Sequence, residues 1–184
     1  MHRCIKWLGQ GWVVCTITVL SIGERDRRIR INLCLTARAF GADKAIFIGK
    51  KDASIARHMS AVNEKWGGDF KVEFAPNVAG VIKPLTKYKK VYLTMYGMPL
   101  RQVAYTLKTY KNILLIITQK EHDTALSGMA DYSVSITTQP HAQVTSVAVF
   151  LHEFFSGREL AVQFPNAKYK VVPDQKGMIV KGPD

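Results

Sequence analysis

Apolar and polar residues alternate along the chain with two periods, one typical of strands and the other of helices. Short runs rich in β-branched residues predict strands, and apolar residues three or four positions apart predict the helices between them. The predicted strands are residues 12–21, 45–48, 70–74, 91–95, 113–118 and 132–136, and the predicted helices are residues 27–40, 52–66, 99–110 and 143–155. This alternation predicts an α/β fold with a largely parallel sheet that carries helices on both faces.

Local signals predict where some of these elements begin and end. Asp52 is positioned to cap the start of the helix predicted at residues 52–66. Gly41 directly follows the helix predicted at residues 27–40, at a position where a glycine commonly ends a helix. Pro140 fits the first turn of the last helix, where its missing N–H is harmless. Residues 165–184 predict a small C-terminal hairpin. The apolar face of the first helix is assigned to Ile29, Leu33, Thr36, Ala37 and Phe40.

Three segments turn polar, or contain glycine or proline, where a predicted strand ends. They are residues 93–97, 118–122 and 136–141. In open α/β sheets, ligands bind outside the carboxyl ends of the strands. The sequence therefore predicts that these three segments converge on one ligand site.

Charge and cysteine content narrow the class of protein. The 184 residues fit a single domain, and 26 basic against 14 acidic side chains give a formal net charge of +12. Such an excess attracts polyanions, which leaves RNA, DNA, an anionic membrane or an acidic protein as partners. The three cysteines are an odd number without a C-x-x-C pair, so they predict neither a disulfide framework nor a zinc site and suit a cytoplasmic location.

The first residues resemble the start of a signal peptide, because a basic segment precedes the apolar run 12–22. No small-residue cleavage site follows, and the run is shorter than the roughly 20 residues that span a bilayer. We interpret it as a buried first strand behind a short leader, residues 1–14. No other stretch is long and apolar enough to predict a membrane span.

Several catalytic motifs are absent from the sequence. It contains no G-x-G-x-x-G, no P-loop, no G-x-S-x-G nucleophile elbow and no H-E-x-x-H metal motif. Arg25, Arg27, Arg28 and Arg30 form a cluster that either binds phosphates bidentately or is a solvated helix start. A second basic stretch, with lysines between residues 83 and 90, is open to the same two interpretations.

Six motifs occur in an order that resembles one known family. They are ERDRR at 24–28, LTARAFGAD at 35–43, WGG at 66–68, LTMYG at 93–97, ADY at 130–132 and QPH at 139–141. Together they are similar to the archaeal tRNA (cytidine-56) 2′-O-methyltransferases, over residues 19–180. The resemblance implies a SPOUT fold with a C-terminal trefoil knot, a homodimer, S-adenosylmethionine as cofactor without a metal, and tRNA as substrate.

The resemblance also implies roles for individual residues. Arg25 would be the catalytic residue, and Arg27 and Arg28 would contact tRNA. The family usually has glycine at the positions of Thr118 and Thr137, and these replacements are expected to narrow the pocket or weaken cofactor binding. The cofactor would be bound by Leu93, Thr118, Gln119, Lys120, Glu121, His122, Ile136, Thr137, Thr138, Gln139, Pro140, His141, Ala142 and Gln143.

The implied reaction needs alignment and removal of a proton. Arg25 would orient the target hydroxyl and a neighbouring phosphate, while the identity of the proton acceptor stays open. Three alternatives remain: a non-catalytic RNA-binding protein, a SPOUT methyltransferase acting on another RNA site, and a membrane-surface protein.

Overall fold

The computed structural model describes residues 4–7, 12–177 and 179–182. Its strands are β1 (Cys4–Trp7), β2 (Trp12–Ile22), β3 (Lys44–Ile48), β4 (Lys71–Ala75), β5 (Lys89–Pro99), β6 (Asn112–Thr118), β7 (Tyr132–Ser135), β8 (Lys170–Val172) and β9 (Ile179–Lys181). Its helices are α1 (Arg27–Ala39), α2 (Ala53–Trp66), α3 (Val78–Ile82), α4 (Leu100–Leu107), α5 (Thr124–Met129) and α6 (Gln143–Phe155), with a 3₁₀ turn at Arg158–Ala161. Every helix and strand predicted between residues 12 and 155 is present.

Six strands form a parallel sheet in the order β4-β3-β2-β6-β5-β7, and β1 pairs antiparallel with the start of β2. Residues 4–7 of the expected leader thus lie in β1. The predicted α/β class with a parallel sheet is confirmed. At the C-terminus, β8 and β9 pair antiparallel as a separate two-stranded sheet. Within the segment 165–184, where the sequence predicts a small hairpin, residues 178, 183 and 184 lie outside the described residues.

Both faces of the sheet are buried, as the apolar run in β6 predicts. Alternate β6 residues point to opposite faces. Ile113, Leu115 and Ile117 pack with α1, α2, α4 and α6, whereas Leu114 and Ile116 pack against Val81 of α3 and Leu126 of α5. The helices α3 and α5 cover this second face, although no helix was predicted at either place.

Two signals at helix ends act as predicted. Asp52 caps α2 by accepting a hydrogen bond from the Ser54 N–H at 2.9 Å. Gly41, just after α1, has a φ of +89°, a conformation that glycine adopts at little cost. The assignment of Ile29 to the apolar face of α1 was wrong, because 41% of Ile29 is exposed. It lies in the first turn, beyond the part of the helix that covers the sheet.

The strand β5 is longer than predicted because it pairs with β7 in two registers. Leu93 pairs with Val134, the register shifts, and Met98 then pairs with the same residue. The four residues between them, 94–97, bulge out at the carboxyl end of the strand. A Cβ at Gly97 would lie 2.4 Å from the backbone nitrogen of Val134, so only glycine fits this close approach.

Candidate active site

The three polar segments that follow β5, β6 and β7 converge on one cavity of about 630 Å³. This confirms the predicted convergence. The strand order explains it, because β6, β5 and β7 are adjacent and parallel and therefore end at the same edge of the sheet. The segments contribute Leu93, Thr94, Met95, Thr118, Gln119, Lys120, Glu121, Ile136, Pro140, His141, Ala142 and Gln143 to the cavity wall.

Four of the residues expected to bind the cofactor do not line the cavity: His122, Thr137, Thr138 and Gln139. The ring of His122 packs edge-on against Tyr96, with centroids 5.3 Å apart. The other three lie in the exposed part of the segment between β7 and α6. They flank the wall formed by Ile136 and by residues 140–143 rather than forming it.

The first two turns of α1 and the first turn of α6 contribute residues to the cavity that the sequence did not predict. The missed residues are Glu24, Ile29, Asn32, Val144 and Ser146, whereas Thr94 and Met95 lie in the predicted segment 93–97 but were assigned no role of their own. Ile29 and Asn32 are three positions apart, so they share one side of α1. This spacing is visible in the sequence. It indicates that α1 faces the cavity only once β2, the strand before α1, is known to pair with β6.

The segment before α6 differs from the prediction at Pro140. The helix begins at Gln143, with Ala142 as its N-cap, so Pro140 lies outside the first turn and that prediction was wrong. The Nδ1 atom of His141 lies 2.7 Å from the Gln139 carbonyl oxygen, which folds the segment back on itself before the helix starts. No side chain caps α6, so the backbone donors of its first turn are left for a ligand.

Thr118 and Thr137 make the same local interaction. The Thr118 hydroxyl accepts a hydrogen bond from the Lys120 N–H at 3.3 Å, and the Thr137 hydroxyl accepts one from the Gln139 N–H at 3.2 Å. Neither threonine has a positive φ. The backbone at these positions therefore does not require glycine, and of the two only Thr118 takes space in the cavity.

Tyr96 and Glu121 join two of the three segments at the rim of the cavity. The Tyr96 hydroxyl donates a hydrogen bond to the Glu121 carboxylate at 3.0 Å. This bond to the carboxylate raises the pKa of Tyr96 above its ordinary value, because a deprotonated tyrosine would face a negative charge. The bulge of β5 and the segment after β6 are thereby held together.

Glu24 connects the cavity to the turn between β2 and α1. Its side chain is buried and lines the cavity. One carboxylate oxygen accepts a hydrogen bond from the Asp26 N–H at 2.7 Å, and the other accepts one from the Gln119 side-chain amide. The backbone carbonyl of Glu24 accepts a hydrogen bond from the Arg30 Nε at 2.8 Å. Glu24 thus fixes the turn that carries Arg25 against the segment after β6.

The residues expected to catalyse the reaction and contact RNA lie beside the cavity rather than in its wall. Arg25 directly follows Glu24 and is exposed, as are Arg27 and Arg28. The Arg27 Nε donates a hydrogen bond to the Ser54 hydroxyl at 2.8 Å, at the start of α2. Asp26 caps α1 by accepting from the Arg28 N–H at 2.7 Å. Arg25 makes no ion pair with another described residue, so its guanidinium is available to a ligand.

Neither a metal-binding cluster nor a membrane-spanning helix is found among the described residues. No group of three or more His, Cys, Asp or Glu side chains among them is arranged to hold a metal ion. None of the helices in residues 12–177 combines the length and apolar character needed to cross a membrane.

Solved structures with the same fold are RNA methyltransferases of the SpoU and TrmH type. An RNA 2′-O ribose methyltransferase aligns with a TM-score of 0.59 at 17% identity, covering 78% of this chain and 57% of that one. The SpoU methyltransferase AviRb from Streptomyces viridochromogenes, solved with AdoMet, aligns with a TM-score of 0.58 at 19% identity, covering 78% and 60%. The fold is therefore that of the SpoU/TrmH class.

Sequence comparison is more specific. The profile of the family described as tRNA ribose 2′-O-methyltransferase, aTrm56, matches residues 66–181. A tRNA (cytidine(56)-2′-O)-methyltransferase from Thermococcus kodakarensis is 37% identical over 172 residues, 88% of this chain and 94% of the relative. An enzyme of the same name from Methanopyrus kandleri is 38% identical over 168 residues, 89% and 94% of the two chains. The chain belongs to the aTrm56 family, and the resemblance inferred from the six motifs is confirmed.

Proposed function

We propose that this protein transfers a methyl group from S-adenosylmethionine to the 2′-hydroxyl of a tRNA ribose, at cytidine 56. The observation that carries the proposal is the convergence of the three strand-end segments on one cavity. Family membership gives the reaction and the substrate, because both relatives described above carry the name of this activity. An exposed guanidinium, that of Arg25, follows directly after a residue of the cavity wall, and this position supports a phosphate-binding role for it beside the cavity.

The cavity suits an adenosyl cofactor in size and chemistry. Its volume lies within the range of about 300–1,000 Å³ that is usual for small-molecule sites. Leu93 and Ile136 supply apolar wall, and the uncapped first turn of α6 supplies backbone donors. When bound, S-adenosylmethionine supplies an electrophilic methyl group. We assign its binding to Leu93, residues 118–122 and residues 136–143, of which His122, Thr137, Thr138 and Gln139 act from outside the wall.

Arg25 is the residue to which we assign catalysis. Its guanidinium would hold the phosphate next to the target ribose and orient the 2′-hydroxyl towards the cavity. Alignment of this kind lowers the barrier because the two reactants no longer have to find each other in the reacting geometry. An arginine stays protonated in proteins, so it does not serve as the proton acceptor. Arg27 and Arg28, in the first turn of α1, would contact the tRNA beside it.

A trefoil knot, a homodimer and a cytoplasmic location belong to the same proposal. The chain runs from α5 on one face of the sheet, through the edge strand β7 and the segment 136–142, to α6 on the other face. The knot itself is proposed from the family resemblance. Tyr105 of α4 is 85% exposed and Val149 of α6 is 41% exposed, and these two helices pack together. This exposed apolar surface supports association of two copies. Sedimentation of the purified protein tests the dimer.

Methyl transfer to defined RNA tests the proposed function. The protein would be incubated with radiolabelled S-adenosylmethionine and an unmodified tRNA transcript. A matched transcript would carry deoxyribose at position 56 only. We expect label in the first RNA and none in the second, because the accepting oxygen is missing. Equal labelling of both would show that another nucleotide or a base is methylated.

A non-catalytic RNA-binding role is the second candidate, and Thr118 favours it because its side chain takes cavity space where the family usually has glycine. Calorimetry with S-adenosylmethionine distinguishes the two candidates. Binding at micromolar to submillimolar cofactor supports the enzyme. Tight binding of tRNA without measurable cofactor binding at millimolar concentration would support the second candidate and overturn the first.

A further inference from the structure

Exposed basic residues on the α1 side of the cavity lack acidic partners, unlike Lys120 of the cavity wall, which pairs with Asp123 at 3.0 Å, and unlike lysines at the opposite edge of the sheet. At the amino ends of the strands, Lys44 pairs with Glu73 at 3.1 Å, and Lys89 and Lys90 both pair with Asp131, at 3.5 and 3.7 Å. Besides Arg25, four exposed basic residues at the carboxyl ends of β2 and β3 make no ion pair within the described part of the chain. We call these four residues the basic strip: Arg27, Arg28, Lys50 and Lys51.

The carboxylates of the same two segments are engaged elsewhere. Residues 24–30 and 50–54 contain six basic and three acidic residues. Asp26 accepts hydrogen bonds from the first N–H groups of α1, and Asp52 accepts them from the N–H and hydroxyl of Ser54, at 2.9 and 2.6 Å. The bonds from Ser54, helped by the charges of Arg27 and Arg30, lower the pKa of Asp52. Asp26 and Asp52 thus cap helices, while Glu24 accepts hydrogen bonds from the Asp26 N–H and the Gln119 amide, and six basic against three acidic residues leave an excess of positive charge.

One hydrogen bond makes the basic strip continuous across two strands. Arg27 reaches from α1 to Ser54 of α2, and Lys50 and Lys51 lie in the turn just before that helix. Successive helical residues are rotated by about 100°, so Arg27 points about 200° away from Ile29. Ile29 faces the cavity, and Arg27 therefore lies on the far side of α1 from it. Arg28 lies between these two directions. The strip thus begins at Arg28, about 100° around α1 from Ile29, and leads away from the cavity towards the start of α2.

We propose that the basic strip binds the phosphodiester backbone of the RNA next to the methylated nucleotide, so that the RNA leaves the active site across α1 towards the start of α2. This inference rests on the proposed function and adds the direction of the substrate and two residues, Lys50 and Lys51, to its binding surface. Phosphate is the partner because it is repeated and anionic and is bound by both guanidinium and ammonium groups. Phosphate contacts fix the register of a nucleic acid on a protein without reading its sequence.

Charge removal at two lysines tests this inference. The double variant K50Q/K51Q is compared with K71Q/K111Q, which removes the same charge from two exposed lysines at the amino edge of β4 and β6. Binding of the unmodified tRNA transcript is measured against salt concentration. We expect K50Q/K51Q to bind about 5- to 30-fold more weakly and to lower the slope of log K against log salt by about 1.4 to 1.8, since each of the two phosphate contacts contributes about 0.7 to 0.9. The control should stay close to the wild-type protein.

The outcomes separate this inference from the proposed function. Calorimetry should give the same affinity for S-adenosylmethionine in both variants, and methyl transfer at subsaturating tRNA should fall only in K50Q/K51Q, in proportion to its weaker tRNA binding. Equal weakening of both variants would mean that only net charge matters, and unchanged binding by K50Q/K51Q would mean that the RNA takes another course. Either result overturns the basic strip while leaving methyl transfer by the wild-type protein intact. Absence of methyl transfer by the wild-type protein would instead overturn the proposed function.

Discussion

The two edges of the parallel sheet use charged residues differently. At the amino edge, Asp131 accepts a hydrogen bond from the Lys90 N–H at 2.8 Å and pairs with two lysines, so its charge helps hold β7 beside β5. At the carboxyl edge, Arg25 makes no ion pair with another described residue. A charged side chain that forms an ion pair within the chain stabilises the fold, whereas one without such a partner is available to bind a ligand. We therefore expect substitutions at the carboxyl edge to alter function with little effect on stability, and the reverse at the amino edge.

Arg25→Ala should have the largest effect. Removing the guanidinium that we propose orients the substrate should slow methyl transfer at saturating substrates by about 100- to 1,000-fold, the range found for loss of one well-placed donor. Cofactor affinity and the melting temperature should stay at wild-type values, because Arg25 is exposed and does not line the cavity. Single-turnover kinetics measure the rate of methyl transfer, and calorimetry measures the cofactor affinity.

Arg25→Lys is the matched variant, since it keeps the charge but loses the planar, bidentate donor pair. It should recover only a small part of the rate. Loss of cofactor binding in Arg25→Ala, with unchanged turnover at saturation, would contradict the assigned role.

Glu24→Gln should have the next largest effect. The neutral amide still accepts from one donor, but it replaces a charge-assisted bond to Gln119 with a weaker one and loosens the link between the Arg25 turn and the segment after β6. We expect turnover to fall about 10-fold, because a misplaced positioning group costs about 1–2 kcal/mol of transition-state alignment. The KM for S-adenosylmethionine should rise less than threefold.

Glu24→Ala serves as the comparison, since it removes both acceptors and leaves a space in the cavity wall. If Glu24 only filled space, Glu24→Gln would behave like the wild-type protein and only Glu24→Ala would be impaired. A larger effect on the KM than on turnover in Glu24→Gln would likewise argue against a role in placing Arg25.

The sequence predicted the parts of the molecule that depend on local pattern. The strands, the caps at Asp52 and Gly41, and the convergence of three segments follow from apolar runs, cap chemistry and the geometry of parallel sheets. The helices α3 and α5 were missed because five and six residues are too few to show a helical period. The β5 bulge depends on pairing with β7, about 35 residues away, which no local pattern reveals.

The part of the candidate site contributed by α1 was also beyond the sequence. Glu24, Ile29 and Asn32 reach the cavity only because β2 pairs with β6, although more than 90 residues separate them. Motif resemblance supplied the functional residues that local pattern lacks, but it also placed His122 in the cavity. In the structure His122 packs on Tyr96 instead, because the bulge of β5 brings that ring beside it.

Thr118→Gly should have a smaller effect, limited to the cofactor. The substitution removes a side chain from the cavity wall and frees the Lys120 N–H from the threonine hydroxyl. We expect affinity for S-adenosylmethionine to increase about two- to fivefold by calorimetry. The added glycine should lower the free energy of unfolding by about 0.5–1 kcal/mol through its greater freedom in the unfolded chain.

Thr118→Ser separates the two causes, since it keeps the hydroxyl and removes only the methyl group. Improved affinity in Thr118→Gly alone would assign the effect to the Lys120 N–H, and improvement in both would assign it to space. Weaker cofactor binding in both variants would show that the threonine contributes to the site as it stands.

Asp131→Asn should have the smallest effect, and it should change the stability of the protein rather than its activity. Partial burial acts to raise the pKa of Asp131, but the Lys90 N–H and the charges of Lys90 and Lys89 outweigh it and hold that pKa below its ordinary value of about 3.9. The carboxylate therefore stabilises the folded protein above about pH 4, and this contribution is lost as the pH falls through the lowered native pKa. At pH 7 the asparagine variant should lose about 1 kcal/mol of unfolding free energy or less, since the side chain is 30% exposed and the pairs are near the surface.

Urea denaturation at pH 7 and again below pH 3 should show that the stability difference between wild type and variant shrinks in acid, while methyl transfer stays within twofold. A drop in tRNA methylation larger than the drop in stability would mean that charges at the amino edge also serve the substrate, and the division between the two edges would fail.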